Sequence, residues 1–268
     1  MSYAKKPRIA ADDLWFELER ELNAIAAQET ALAYYLSRLV TARTSLQDVL
    51  ARRLAQALAQ PEMPEDHIAA VLMEPLQARP EIAGAAAQDL VAIRSNDPAS
   101  RTFAHAFLNY SGFHAVQVAR IAHAFWHDGR IDLAAWLSNR ASVAFGPDIH
   151  PAAQLGAGLM LDHGPGIVIG ETAVVENEVT ILQNVTLGGT GKVRGDRHPK
   201  VRQGVMIGAG ANVIGNIELG AFSKIAAGSV VLKDVPARCT VAGVPAQIVR
   251  LHQSPEFSED HKQPSRVC

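Results

Sequence analysis

The sequence predicts an α+β chain of two domains: an all-helical N-terminal domain followed by a parallel β-helix of hexapeptide repeats, with one extruded loop. Three observations predict it. Of the 20 glycines, only Gly84, Gly112 and Gly129 precede residue 146; the other seventeen fall between Gly146 and Gly243. Before that boundary, apolar residues recur every three to four positions. Beyond it they recur every six.

The helical period is clearest near the start, where 12–28 places Leu14, Leu18, Leu22 and Ile25 on one face. A second segment covers 31–42. Ser45 and Asp48 resemble a capping box and open 46–59, which ends before Pro61. Pro64 and Pro80 sit where first-turn prolines are tolerated and open two further segments. The stretch 112–127 carries Phe113, Val116, Val118, Ile121, Phe125 and Trp126, and a turn at Asp128-Gly129 leads to a last helix through Ser142. Residues 1–142 therefore form the helical domain, 143–251 the β-helix and 252–268 a polar tail expected to be disordered.

From Ile149, every sixth residue is Ile149, Leu155, Leu161, Ile167, Ala173, Val179 and Val185; the series resumes at Val201, Ile207, Val213, Leu219, Ile225 and Val231. Twelve of these thirteen are Ile, Leu or Val. A period of six defeats an α-helix, which cannot hold one face at that spacing, and is a signature of a parallel β-helix. Three short strands make one triangular coil, aliphatic residues stack from coil to coil, and glycines turn the corners. The sixteen residues from Val185 to Val201 read as one repeat plus an insertion of ten. The segment 188–200 that contains it is polar, basic and glycine-rich, so it leaves the prism as a loop, and long loops on rigid repeats commonly carry function.

Composition narrows the function. The 268 residues are 48% hydrophobic and 19% charged with a net charge of −2, without the basic excess of a general nucleic-acid binder. Two cysteines, Cys239 and Cys268, are too few for a disulfide framework and fit a reducing compartment. No apolar run reaches the roughly 20 residues that span a bilayer, and no apolar stretch follows Lys5, Lys6 and Arg8 as in a secretory signal. A cytoplasmic protein is expected.

Several residues could carry chemistry. Asp148 and His163 lie fifteen residues apart, two and a half hexapeptides, on different sides of adjacent coils or facing each other across a subunit boundary. A carboxylate that orients an imidazole makes a general base near neutral pH; alternatively Asp148 caps a turn and His163 fills a corner. Arg197-His198 could clamp a carboxylate or belong to a solvated basic loop. Asp97 precedes Pro98 at the head of a helix, where an N-cap explains it. Gly188 to Lys192 ends like a phosphate loop, but Thr186 stands at the first glycine and Val193 at the Ser/Thr. His123 and His127 share a helical face without the glutamate of a zinc protease, and Cys239 reads as an inert packed thiol.

The strings DIHPAAQLGAGLMLDHGPGIVIGETAVV, ILQNVTLGGTGK, GDRHPKVRQGVMIGAGANVIGNIELG and VAGVPAQIV, with Ser95-Asn96-Asp97-Pro98 and Gly112-Phe113-His114-Ala115 upstream, closely resemble serine acetyltransferase. The resemblance covers about residues 10 to 251. It implies a left-handed β-helix and transfer of acetyl from acetyl-CoA to the hydroxyl of L-serine, with L-cysteine as feedback inhibitor. It further implies His163 as general base with Asp148 orienting it, and Asp97, Asp162, Arg197 and His198 around the amino acid. Gly189, Ala209, Lys224 and Ala227 would line the acetyl-CoA groove. No metal and no permanently bound cofactor is implied. The family forms a trimer, doubled into a dimer of trimers through the helical domains. Many members also bind O-acetylserine sulfhydrylase through a terminal isoleucine; this chain ends Arg266-Val267-Cys268, and the smaller, more polar residue argues against that complex. Rival readings are an O-acetyltransferase for a sugar or other alcohol, a β-helix metalloenzyme using His150, His163 and His198, and a non-catalytic scaffold.

Overall fold

The computed structural model describes residues 9–252. Eight helices come first: α1 (Ala11–Gln28), α2 (Thr30–Val40), α3 (Leu46–Leu58), α4 (Glu65–Ala78), α5 (Glu81–Asn96), α6 (Phe103–Asn109), α7 (Ser111–His127) and α8 (Ile131–Phe145). Their faces follow the expected period. Leu14, Leu18 and Leu22 of α1 are buried, and Asp12 and Asp13 favour its N-terminus through the helix dipole. Ser45 caps α3 by accepting from Asp48 N at 3.2 Å. Pro64 and Pro80 occupy the positions just before α4 and α5.

Asp97 departs from the expectation. It does not open a helix but ends α5, with ψ of 111°. The proline that follows disfavours helical backbone at the residue before it, so the chain turns there. Asp97 Oδ1 accepts from Ala99 N at 2.8 Å, and the short helix α6 begins later, capped by Thr102.

The remaining chain winds as a left-handed β-helix. Strands β1 (Asp148–Ile149), β2 (Gln154–Leu155) and β3 (Met160–Leu161) form its first coil, and β4 (Val168–Ile169), β5 (Val174–Val175) and β6 (Thr180–Ile181) the second. The third comprises β7 (Thr186–Gly188), β8 (Lys200–Val201) and β9 (Met206–Ile207), and the fourth β10 (Asn212–Ile214), β11 (Glu218–Leu219) and β12 (Lys224–Ile225). Strand β13 (Val230–Val231) starts a fifth, and β14 (Cys239–Gly243) with β15 (Ala246–Leu251) closes the end as an antiparallel pair. Three sheets result, ordered β1-β4-β7-β10-β13, β2-β5-β8-β11 and β3-β6-β9-β12-β14-β15.

Register corrects the period at one place. Asp148 pairs with Val168, twenty residues on, whereas Val168 pairs with Thr186, eighteen on. The second coil and the first strand of the third therefore turn Ile169, Val175, Ile181 and Leu187 inward, not Ile167, Ala173, Val179 and Val185. The strict count survived because both sets are buried. Two residues are inserted in the turn that holds His163. The pairing of Val174 with Lys200, twenty-six on, leaves eight for the extruded loop. The apparent insertion of ten is thus two breaks of two and eight.

The helical domain grips the first coil through α7, which is buried along most of its length. Arg120 Nη1 and Nη2 contact Asp89 of α5 at 2.5 and 3.1 Å, and both residues are buried. Asp89 also accepts from Gln117 and from Leu159 N, each at 2.8 Å, while Arg120 donates to Gly156 O at 2.5 Å. Burial of a charge pair is tolerated where such bonds replace lost hydration. This pair fixes the corner just upstream of β3. Among the described residues, no helix is long and apolar enough to cross a membrane.

Candidate active site

The candidate residues gather at two corners of the prism, on either side of the first sheet. The first corner is the lengthened turn between β3 and β4. His163 lies there with φ of 61°, a left-handed conformation uncommon for a residue with a side chain. The helical domain braces it: Ser111 Oγ donates to His163 O at 2.9 Å. Gly112 lies so close that a Cβ on it would fall 2.0 Å from Leu161 O. The imidazole itself is 69% exposed, and its Nε2 stands 3.7 Å from Asp162 Oδ2.

Asp97 reaches this corner from the end of α5. The Tyr110 hydroxyl donates to Asp97 Oδ2. Burial, and then the Asp97 carboxylate, push the Tyr110 phenol up to about 12, and the Asp162 charge adds to the effect. The Tyr110–Asp97 hydrogen bond and the Asp162 carboxylate thus make an acidic surrounding for the exposed His163 imidazole.

The second corner is the turn between β4 and β5, onto which the extruded loop folds back. Arg197 pairs with Glu171 at 2.5 Å. That bond holds the Glu171 carboxyl below its usual range. His198 is buried beside Thr172, and burial, then the Arg197 charge, depress its imidazole, with Glu171 opposing. Lys200 ties the base of the loop by donating to Thr172 O at 2.7 Å and His198 O at 3.0 Å. Gly189 packs against Arg197 and His198. Asp148, exposed on β1, belongs to this side: it lines a cleft of about 250 Å³ with His150 and Trp126. Burial depresses the His150 imidazole; Glu171 and Asp148 oppose that effect, and Arg197 adds to it.

One chain therefore assembles Asp97, Asp162 and His163, and separately Arg197, His198 and Gly189 with Asp148 nearby. It does not join the two. Among the described residues, His163 pairs with Asp162 and not with Asp148. Of the candidate acyl-donor contacts, Ala209 and Ala227 stack one coil apart where the third sheet turns into the first, with Gly228 N donating to Ala209 O at 2.8 Å. Lys224 lies on β12 between Met206 and Thr240. These three stand apart from Gly189.

Sequence reasoning missed Tyr110, Ser111, Glu171 and Thr172. Each acts through a partner distant in the chain, and no local pattern marks such a pairing. A larger cleft of about 570 Å³ between α5, α7 and the second sheet, lined by Ile82, His123, His127 and Leu155, contains none of the candidate residues. Cys239 is buried, and its thiol donates to Pro236 O at 3.1 Å. Among the described residues, no group of three or more His, Cys, Asp or Glu is placed to hold a metal ion. His150 and His198 share the second corner, whereas His163 stands at the first.

Comparison with known proteins locates this arrangement. A family model described as "Serine acetyltransferase, N-terminal" matches residues 14–118. The chain is 50% identical over 250 residues to the serine acetyltransferase of Salmonella typhimurium, covering 93% of this chain and 92% of that one. A solved serine acetyltransferase in complex with cysteine superposes with a TM-score of 0.89 at 47% identity, covering 92% of this chain and 97% of that one. The Brucella abortus serine acetyltransferase in complex with coenzyme A gives 0.86 at 47% identity, covering 89% and 95%.

Proposed function

The chain belongs to the serine acetyltransferase family, and on that premise we infer that it transfers acetyl from acetyl-CoA to the hydroxyl of L-serine. The products are O-acetyl-L-serine and CoA, and L-cysteine inhibits by feedback. The observation that carries this reading is half identity across nine-tenths of both chains. Likeness in one domain alone would leave the acceptor open, because the candidate residues come from both. Acetyl-CoA is a co-substrate, and no permanently bound cofactor is invoked.

In the proposed mechanism, His163 takes the proton of the serine hydroxyl as its oxygen attacks the thioester carbonyl. The tetrahedral intermediate then collapses, the carbon–sulfur bond breaks, and His163 returns the proton to the CoA thiolate. Asp148 orients the imidazole. Asp97 and Asp162 hold the serine ammonium, and Arg197 with His198 holds its carboxylate. Gly189, Ala209, Lys224 and Ala227 line the acyl-donor groove, with small residues letting the pantetheine arm approach the backbone.

The separation of the two corners supports a homotrimer, in which the first corner of one copy meets the second corner of its neighbour. Gly189 standing apart from Ala209, Lys224 and Ala227 fits the same geometry. Exposed Phe16 and Tyr34 on α1 and α2, at 67% and 75%, support doubling through the helical domains. The domain division is part of this reading; α8 runs to Phe145, three residues past the expected helix end at Ser142, and β1 starts at Asp148, which puts the division between them. The tail (253–268), on which the expected disorder and the sulfhydrylase contact both fall, lies outside the described residues. Two cysteines, too few for a disulfide framework, favour a cytoplasmic location.

A thiol-release assay with acetyl-CoA tests the reading. Release with L-serine, suppressed by L-cysteine, is expected; release with a sugar hydroxyl and none with L-serine overturns it.

A further inference from the structure

Thr172 sits under the extruded loop, and its hydrogen bonds decide the chemistry of its neighbour. The hydroxyl oxygen accepts from Arg197 N at 2.9 Å and His198 N at 3.0 Å. Both lone pairs are then used, which leaves the hydroxyl proton to donate. The acceptors within its reach are His198 Nδ1, 2.9 Å away, and the Asp196 carboxylate. The Thr172 backbone N–H also points at that nitrogen, at 3.1 Å, and a backbone N–H has only the donor role. That backbone donor alone requires Nδ1 to present a lone pair, so the proton of the neutral ring resides on Nε2.

The rest of the pocket agrees. His198 is 7% exposed, and its ring lies against Gly170, where a Cβ would fall 2.1 Å from Nε2. A proton on Nδ1 would meet the Thr172 N–H head on, and cannot be accommodated without opening the knot. Around the ring, Arg197, Lys200 and His150 disfavour a second positive charge, and Glu171 alone favours it.

We propose that Thr172 is a positioning residue that locks His198 as the neutral Nε2–H tautomer, a fixed hydrogen-bond donor to an anionic substrate oxygen and not a carrier of protons. The proposal rests on the reading that Arg197 and His198 face the amino acid. It gives the two imidazoles different roles, since the exposed His163 moves the proton while the pinned His198 holds the oxygen still.

The test is imidazole nitrogen NMR on the full chain, wild type beside Thr172→Ser and Thr172→Val, with the His198 signals assigned by their loss in His198→Gln. Wild type and Thr172→Ser are expected to keep Nδ1 unprotonated and Nε2 protonated at about pH 8 and to hold that neutral form to lower pH than a free imidazole does. In Thr172→Val the ring should titrate at higher pH than in wild type, and kcat/KM for L-serine should fall roughly tenfold to a hundredfold, the cost of orphaned buried donors. Thr172→Ser should stay near wild type. A wild-type Nδ1–H, a wild-type His198 titrating like a free imidazole, or a Thr172→Val enzyme matching wild type in spectrum and kcat/KM overturns the proposal. Should Thr172→Val fail to fold, the other two spectra still decide. The spectra need no substrate, so they remain readable if L-serine is not the acceptor.

Discussion

The two corners of the prism solve one problem in different ways. Both interrupt a repeat of eighteen residues per coil, the first by two residues and the second by eight. The short break around His163 has little of its own to hold it and borrows support from another domain, through Ser111 and Gly112. The long break carries its own anchors, with Arg197, His198 and Lys200 all tied to the turn at Glu171 and Thr172. On the proposed mechanism, the repeat supplies rigidity and its interruptions supply chemistry. The first corner depends on the helical domain being folded; the second depends on its own hydrogen bonds.

Substitutions should expose that difference in order of size. His163→Ala is expected to lower kcat by about a hundredfold to ten-thousandfold, the range for a lost general base, with an unchanged unfolding midpoint. Steady-state kinetics checks it; an enzyme within a factor of a few of wild type removes His163 as the base. Asp89→Asn should leave Arg120 buried without its counter-charge and cost about 3–5 kcal/mol of stability. Because the pair holds the corner before β3, activity should fall along with the denaturation midpoint. Preserved stability would show that the joint does not depend on the pair.

Acid should strike the first corner's support next. His114 of α7 is depressed to about 3, by burial first and the Arg53 charge second, with the bond to Phe107 O opposing. The folded value lies below the unfolded one near 6.5, so below that pH the unfolded chain takes a proton that the folded chain refuses. Stability is therefore full above about 6.5 and lost as pH falls toward about 3, at roughly 1.4 kcal/mol per pH unit. Denaturation at pH 7 and 5 should differ by about 2 kcal/mol on this account. His114→Gln, which keeps a donor for Phe107 O, should flatten that slope; an unchanged slope assigns acid sensitivity elsewhere. The smallest effect belongs to Ser111→Ala, about 1 kcal/mol for one hydrogen bond. It should appear as a modest loss of kcat, with Gly112→Ala the harsher variant at the same brace.

Legibility followed the range of the forces involved. The helical face of Leu14, Leu18 and Leu22 and the stacked aliphatics from Ile149 to Val231 are periodic, so local spacing displays them. The break at His163 hid because each hexapeptide carries two buried positions, and Ile167 imitated the expected one while Ile169 filled it. Asp97 was placed at a helix start because Asp before Pro suits an N-cap, yet the same proline ends the preceding helix. His163, Arg197 and His198 were visible as reactive types in odd surroundings. Thr172, Glu171 and Tyr110 were not, since their meaning comes from residues 13 to 26 positions away. A loop's return path is written in no period.

The central claim is that the two corners complete one site only across neighbouring copies, and mixed oligomers test it most directly. His163→Ala damages the first corner and Arg197→Ala the second, so each variant alone should be nearly inactive. Co-expressed in equal amounts under two affinity tags, with mixed oligomers purified through both, they should recover about a third of the wild-type sites in mixed trimers, or about a quarter where two trimers are joined, those pairing an intact first corner with an intact second corner from the neighbour in a closed ring. No recovery in verified mixed oligomers would mean that each chain builds its own site, and would contradict the account.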